Sequence, residues 1–205
     1  MSKRKKNKLD QEKQGKQESK GKTEVKDTKE KIEKFTITIC GEKITSDNSK
    51  ESKILYDQSR FGEIKDNLII YSLVEALYLL EKDKVKILDE NNKSLTVDEF
   101  TKKAIQLEPN FWTRYLVFRD MRNRGYIVKT ALKFGADFRI YDRGIKPGED
   151  HAKWILYPVR ETEMFSWHEF SAKNRVAHST RKRLLIAVVD EESEATYYEI
   201  AWTRP

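Results

Sequence analysis

The segment 184–189 constrains the fold more than any other part of the chain, because it consists of six consecutive apolar residues, Leu-Leu-Ile-Ala-Val-Val. A strand that is apolar on both faces has to be covered on both faces, as strands inside a helix-covered sheet are. We therefore predict a mixed β-sheet flanked by helices, with 184–189 as a central strand.

The other elements of the C-terminal half follow from periodicity and from helix signals. Apolar residues on successive turns predict a helix over 111–124, with Gly125 just past its end. Ser166 and Glu169 have the spacing of a capping box, so a second helix begins there and runs to about Thr180. The predicted strands are 126–129, 136–141, 154–159, 184–189 and 197–202.

The N-terminal half is predicted to form a small αβ unit. Alternation over 35–40, a turn at Gly41 and the apolar segment 54–56 indicate a small antiparallel sheet. Two helices follow, and each begins at a capping box. These boxes are Ser72 with Glu75 and Thr96 with Glu99.

A boundary between the two halves is predicted at 107–110, where Leu-Glu-Pro-Asn separates two helical patterns. The fold class is therefore α+β (mixed α/β). We predict a small N-terminal αβ domain over 35–106 and a C-terminal domain with a central mixed sheet over 107–205.

Residues 1–34 differ from the rest of the chain in charge and in apolar content. They hold 13 Lys and Arg against 7 Asp and Glu, and only four apolar residues. Such a segment cannot bury enough apolar surface to offset the entropy of ordering, so we predict a disordered basic tail. Its charge fits either an electrostatic arm for RNA or a solubilising tail, and composition does not decide between them.

Several classes of protein are excluded by the sequence. No run approaches 18 apolar residues, and the basic N-terminus lacks the apolar core of a secretory signal. Cys40 is the one cysteine, so neither a disulfide framework nor a cysteine metal cluster can form. We expect a soluble, cytoplasmic protein without a membrane partner, and for any catalysis a mechanism without metal or cofactor.

Three polar residues are predicted to lie at neighbouring strand ends. Tyr141 ends a strand, His151 opens the next one after a polar loop, and Lys182 precedes the strand 184–189. Such a set could perform acid–base chemistry without a metal. The alternatives are a core tyrosine with an exposed hydroxyl, a surface histidine and a solvated basic face.

Longer stretches resemble a known family. Residues 115–141, 151–153 and 175–190 resemble the catalytic core of archaeal tRNA-splicing endonucleases, with the match continuing to Pro205, and 73–80 resembles the helix of their N-terminal domain. The resemblance covers about 60–205, weakens over 35–60 and does not extend to the tail. It implies a restriction-endonuclease-like catalytic domain in the C-terminal half.

The resemblance implies a role for each polar residue in cutting RNA. Tyr141 would be the general base that activates a 2′-hydroxyl, His151 the general acid for the leaving 5′-oxygen, and Lys182 the cation for the phosphorane. The products would be a 2′,3′-cyclic phosphate and a 5′-hydroxyl. One departure from the family is Ala131, where glycine is usual and where a methyl group could alter the backbone or the approach of RNA.

The resemblance also implies a substrate and an assembly. The substrate would be a precursor tRNA with a bulge–helix–bulge, whose unstacked bases Arg175 and either Arg204 or Trp202 would clamp. An acidic loop would insert into another subunit of a homotetramer; its acids are Asp190, Glu191, Glu192 and Glu194. Two other hypotheses are a non-catalytic subunit of a heteromeric endonuclease and a general RNA-binding protein that uses its tail.

Overall fold

The computed structural model describes residues 32–203. Most of the predicted tail, residues 1–31, lies outside this range, and so does Arg204. Within the range, two β-sheets follow each other along the chain, each with its own helices.

The first sheet is built by residues 35–95 and has six strands in the order β3-β4-β2-β1-β5-β6. Strands β1 and β5 run parallel, and the other neighbours run antiparallel. The strands are β1 (Phe35–Cys40), β2 (Lys43–Asp47), β3 (Glu63–Lys65), β4 (Leu68–Tyr71), β5 (Val85–Leu88) and β6 (Ser94–Leu95). The helices are α1 (Lys50–Ser59), α2 (Leu73–Glu81) and α3 (Val97–Leu107).

The prediction for 54–56 was wrong, because these residues lie in helix α1 and not in a strand. Ser49 caps the helix by accepting a hydrogen bond from the Ser52 backbone N–H at 3.3 Å. Leu55 is buried, and its neighbours on either side are partly exposed. A three-residue apolar segment fits one turn of an amphipathic helix as well as it fits a short strand.

The second sheet has five strands in the order β11-β10-β9-β8-β7. Strands β9 and β10 are parallel, and the other neighbours are antiparallel. The strands are β7 (Ile127–Ala131), β8 (Ala136–Tyr141), β9 (Trp154–Arg160), β10 (Arg183–Val189) and β11 (Ala195–Ile200). The helices are α4 (Phe111–Asn123) and α5 (Trp167–Ser179), and a short 3₁₀ turn occupies Leu132–Phe134.

Strand β10 is covered on both faces, as its apolar sequence predicts. Leu185 and Ala187 belong to the core that also contains residues of α4, whereas Leu184 and Ile186 belong to a second core with Ala177 of α5. The middle position of the sheet is held by β9, so β10 is an inner strand but not the central one. The architecture confirms the α+β class with a helix-flanked mixed sheet.

All three predicted capping boxes are present at the starts of α2, α3 and α5. In each box the serine or threonine hydroxyl accepts a backbone N–H, and the glutamate three residues later accepts the N–H of the cap. The predicted end of α4 is also confirmed, because Gly125 follows the cap residue with a φ of 89°.

Ala131 sits in backbone that any residue can adopt. Its φ is −129°, and a register shift in the pairing of β7 with β8 lies between Thr130 and Ala131. Its methyl group is buried in the core beneath α5. The glycine that is usual here in the resembling family is therefore not needed for the conformation of this chain.

One hydrophobic core joins the first sheet to one face of the second. The aromatic rings of Tyr78 in α2 and Phe118 in α4 lie 5.9 Å apart, and Phe118 lies 6.0 Å from Phe138 in β8. The predicted division at 106/107 remains a prediction. Among residues 32–203, no helix is both long enough and apolar enough to span a bilayer.

Candidate active site

The three predicted site residues lie at one end of the second sheet. Strand β8 runs antiparallel to β9, and β9 runs parallel to β10, so the end of β8 meets the starts of β9 and β10. Tyr141 is the last residue of β8, His151 precedes β9 by three residues, and Lys182 directly precedes β10. Residues that are 41 positions apart in sequence thus come to one edge of the sheet.

Backbone hydrogen bonds fix the spacing of these three strand ends. The N–H of Lys153 donates to the carbonyl of Ile140 at 2.8 Å, and the N–H of Arg183 donates to the carbonyl of Lys153 at 3.0 Å. Ile140 precedes Tyr141, Lys153 lies two positions after His151, and Arg183 follows Lys182. The sheet therefore fixes the strand ends, with Tyr141 in a strand and with His151 and Lys182 in the segments that lead into the next two.

Tyr141 is almost completely buried, with 5% of its surface exposed. It lies on the same face of β8 as Arg139, and the Arg139 Cζ is 6.0 Å from the centre of its ring. At the same rim, Asp142 forms an ion pair with Lys153 at 2.8 Å. Hydrogen bonds from Lys153 and from the Arg143 backbone hold the pKa of Asp142 below its usual value.

His151 is exposed and lies in the loop before β9, so the prediction that it opens the strand was off by three residues. Its backbone N–H donates to the Asp150 carboxylate at 2.6 Å. The loop is shaped by two tight turns, from Asp142 to Ile145 and from Lys146 to Glu149. An exposed imidazole on such a loop is accessible to a large substrate.

Lys182 is half-buried between the end of α5 and the start of β10. Its Nζ donates to the carbonyl of Thr180 at 2.8 Å, and its backbone N–H donates to Ala177 at 2.8 Å. Burial, and then the positive charge of Arg139, lower the pKa of Lys182. The Lys182 side chain is thus held in place by its hydrogen bond to Thr180, and its charge interacts with that of Arg139.

Arg175 and Trp202 line one open groove of about 830 Å³ between α5 and the end of the chain. The ring of Trp202 packs edge-on against His178 at 4.4 Å, and half of its surface is exposed. Arg175 is exposed on the same side of α5. The structure therefore brings two of the three predicted RNA-binding residues together, while Arg204 lies outside the described range.

The predicted acidic loop is the tight turn between β10 and β11. The Asp190 carboxylate accepts the Glu194 backbone N–H at 2.8 Å, which closes the turn. Glu191, Glu192 and Glu194 are exposed. Asp190 therefore shapes the turn, and the other three carboxylates face the solvent.

Arg139 is a neighbour of the site that the sequence analysis did not single out. The alternation of β8 puts residues 137, 139 and 141 on one face, and this signal could have identified it. Residues 32–203 contain no group of three or more His, Cys, Asp or Glu side chains placed to hold a metal ion.

Comparison with protein families gives two matches that cover most of the described chain. Residues 37–101 match the family described as tRNA intron endonuclease, N-terminal domain. Residues 111–197 match the family described as tRNA intron endonuclease, catalytic C-terminal domain. The second match includes all three strand-end residues.

Individual archaeal proteins named tRNA-splicing endonuclease are similar over nearly their whole length. The protein of Thermococcus onnurineus is 40% identical over 172 residues, which cover 84% of this chain and 98% of that protein. The protein of Nanoarchaeum equitans is 45% identical over 139 residues, 65% of this chain and 88% of that protein. The protein of Methanothermobacter thermautotrophicus is 37% identical over 164 residues, which cover 80% of this chain and 95% of that protein.

Proposed function

Because this chain belongs to the tRNA intron endonuclease family, with its N-terminal and catalytic domains in order, we propose that it excises introns from precursor tRNA. The observation that carries the proposal is the sheet topology, in which the strand ends beside Tyr141, His151 and Lys182 lie at the same end of the second sheet. The same proposal places the protein in the cytoplasm, with its substrate.

Each of the three residues suits one step of RNA cleavage by the neighbouring 2′-hydroxyl. Tyr141 takes the proton of the 2′-hydroxyl, and the resulting oxyanion attacks the adjacent phosphorus in line. His151 gives a proton to the departing 5′-oxygen, and Lys182 stabilises the negative charge of the phosphorane. The products are a 2′,3′-cyclic phosphate and a 5′-hydroxyl, so the reaction consumes no water, and the three side chains supply the base, the acid and the cation.

The groove along α5 suits an unpaired base. A base that leaves the stack of a bulge–helix–bulge can stack on a guanidinium plane or on an aromatic ring. Arg175 and Trp202 offer both kinds of surface along one groove. This proximity supports the proposal that the two residues clamp a bulged base next to the cut.

The edge of the second sheet suits assembly. Strand β11 is an edge strand, and it exposes 56% of Tyr198, while 52% of Trp202 is exposed just beyond it. An exposed edge with large apolar side chains is a surface that a second strand can cover. We include in the proposal a homotetramer in which β11 pairs across a two-fold axis and the acidic turn contacts another subunit.

Neutralising the acidic turn should therefore lower the native mass. A variant with Glu191→Gln, Glu192→Gln and Glu194→Gln should dissociate from tetramer to dimer, because the charges that contact the other subunit are lost. Light scattering at several concentrations measures the mass. The control replaces the exposed Glu42 and Glu63 of the first domain with Gln and should stay tetrameric. A wild-type monomer would overturn the assembly proposal.

The function is tested by cleavage in the presence of EDTA. Purified full-length protein is mixed with a precursor tRNA that contains a bulge–helix–bulge, and the ends of the products are analysed. Two cuts with cyclic-phosphate and 5′-hydroxyl ends are expected. Tight binding without cutting would instead assign the chain to the non-catalytic subunits, and neither binding nor cutting would overturn the proposal.

A further inference from the structure

Arg139 has no acidic partner for its positive charge among residues 32–203. It is half-buried on the face of β8 that carries Tyr141, and its Nε is buried without a hydrogen-bond partner. Among residues 32–203, no carboxylate lies within 4.0 Å of its guanidinium. A guanidinium that is removed from water in this way normally has an anionic partner.

The nearest acids along the strand are already engaged. Asp137, on the same face of β8, lies 2.8 Å from the Nε of Arg114. Asp142, one residue past Tyr141, lies 2.8 Å from Lys153. The side chain opposite Arg139 on β7 is Lys129, which is a cation with its own buried carboxylate.

A second cation lies near Arg139. Arg139 pairs with Ile155 on β9, and Ile155 pairs with Leu184 on β10, two residues after Lys182. Burial, together with the charge of Arg139, lowers the pKa of Lys182. Holding two like charges near each other on a partly buried face costs free energy. A bound anion that contacts both of them would remove this cost.

We propose that Arg139 is a second phosphate-binding residue of the active site, donating to the non-bridging oxygens of the scissile phosphate beside Lys182. The inference rests on the proposed function, because the anion it requires is the RNA backbone. The planar guanidinium presents two parallel N–H groups, which match two phosphate oxygens. The Arg139 Cζ lies 6.0 Å from the centre of the Tyr141 ring, which keeps the guanidinium near the residue that activates the 2′-hydroxyl.

The test compares Arg139→Gln and Arg139→Lys with the wild type in single-turnover cleavage. Arg139→Gln should slow cleavage about 100-fold, the effect of removing one donor to a transition-state oxyanion. Arg139→Lys should recover part of the rate, because it keeps the charge but not the fork. The control is Arg119→Gln, because the Arg119 Cζ lies at a similar distance, 5.7 Å, from the ring of Tyr115 but belongs to helix α4 and not to a strand end of the site.

A second readout separates phosphate binding from a structural role. Replacing a non-bridging oxygen of the scissile phosphate with sulfur should slow the wild type, and this slowing should shrink in Arg139→Gln, which has lost the contact. An unchanged sulfur effect, or a cleavage rate equal to that of the wild type, would overturn the proposal. Thermal melting of each variant shows whether a lost rate reflects lost folding.

The outcomes also separate this inference from the proposed function. If the wild type does not cut any precursor tRNA, the function fails. The role of Arg139 is then tested by measuring the affinity of the wild type and of Arg139→Gln for a bulge–helix–bulge RNA. This RNA carries a 2′-deoxynucleotide at each cleavage position, so it cannot be cut. A loss of about five-fold in Arg139→Gln, expected for one phosphate contact, would support it, and equal affinities would overturn it.

Discussion

Replacing Tyr141 with Phe should slow cleavage of precursor tRNA by about 10³-fold while the protein stays folded, because general-base catalysis contributes roughly 10² to 10⁴. The substitution removes one hydroxyl and keeps the buried ring. The ring also keeps its place 6.0 Å from the Arg139 Cζ. The loss should therefore appear in the chemical step and not in stability or in RNA affinity.

Single-turnover kinetics at saturating enzyme measure that step, and fluorescence anisotropy measures RNA binding. The matched control is Tyr157→Phe, a buried tyrosine on the neighbouring strand β9 whose hydroxyl donates to the Gly135 carbonyl at 3.2 Å. Its loss should cost about 1 kcal/mol of stability and leave the rate unchanged. A Tyr141→Phe enzyme that cuts within a few-fold of the wild type would remove Tyr141 from the role of base.

The parts of the fold that local sequence determines were predicted well. A capping box requires two side chains three residues apart, so Ser166 and Glu169 identify the start of α5 without tertiary information. The apolar sequence of β10 likewise requires cover on both faces, and α4 and α5 provide it. Tyr141 could also be placed at a strand end, because the strand pattern of 136–141 is followed by a loop of Gly, Lys, Pro and acidic residues.

The parts that depend on tertiary contacts were not predictable in this way. Helix α1 is hard to predict because its apolar segment is short and its cap, Ser49, lacks the acidic partner of a capping box. Strand β9 is the middle strand of its sheet, next to β10, because the two strands are parallel and are connected by a crossover through α5. The apolar content of a strand does not show which strands a crossover connects. Arg139 lacks an acidic partner because the nearby Asp137 forms its ion pair with Arg114, which lies in helix α4 and far from β8 in sequence.

A buried ion pair ties the first domain to the second sheet. The Nζ of Lys129 in β7 lies 3.0 Å from the carboxylate of Glu75 in α2 and donates to the carbonyls of Arg60 and Gly62 at 3.0 and 2.7 Å. Both charged side chains are 6% exposed. Gly62 has a φ of 74°, and a Cβ there would clash with Ile69, so this contact depends on glycine.

Replacing Lys129 with Met should therefore lower the free energy of unfolding by about 3–5 kcal/mol at pH 7, because Glu75 is left charged and buried without its partner. Urea denaturation measures the change. Adding Glu75→Gln should recover much of it, because Gln keeps the capping box but carries no charge. The control is Lys93→Met, which breaks a 2.7 Å ion pair to Glu99, also the glutamate of a capping box, but in an exposed position. It should have far less effect.

The pH dependence of stability distinguishes an ionic clamp from simple packing. Burial would raise the pKa of Glu75, but the charge of Lys129 and hydrogen bonds from Ser72, Lys129 and Gly62 together lower it. The wild type therefore has this stability above about pH 4.3, the unfolded value, and loses it as the pH falls further. Without Lys129, burial dominates and favours the protonated acid, so the variant should approach the wild type in stability as the pH falls from 7 toward 4. A stability difference that does not change with pH would mean that Lys129 acts through packing alone.

The same ion pair can be tested for an effect on catalysis, because β7 pairs with β8, the strand that ends at Tyr141. If Lys129→Met loses cleavage activity and the added Glu75→Gln restores it, the ion pair also affects the position of Tyr141.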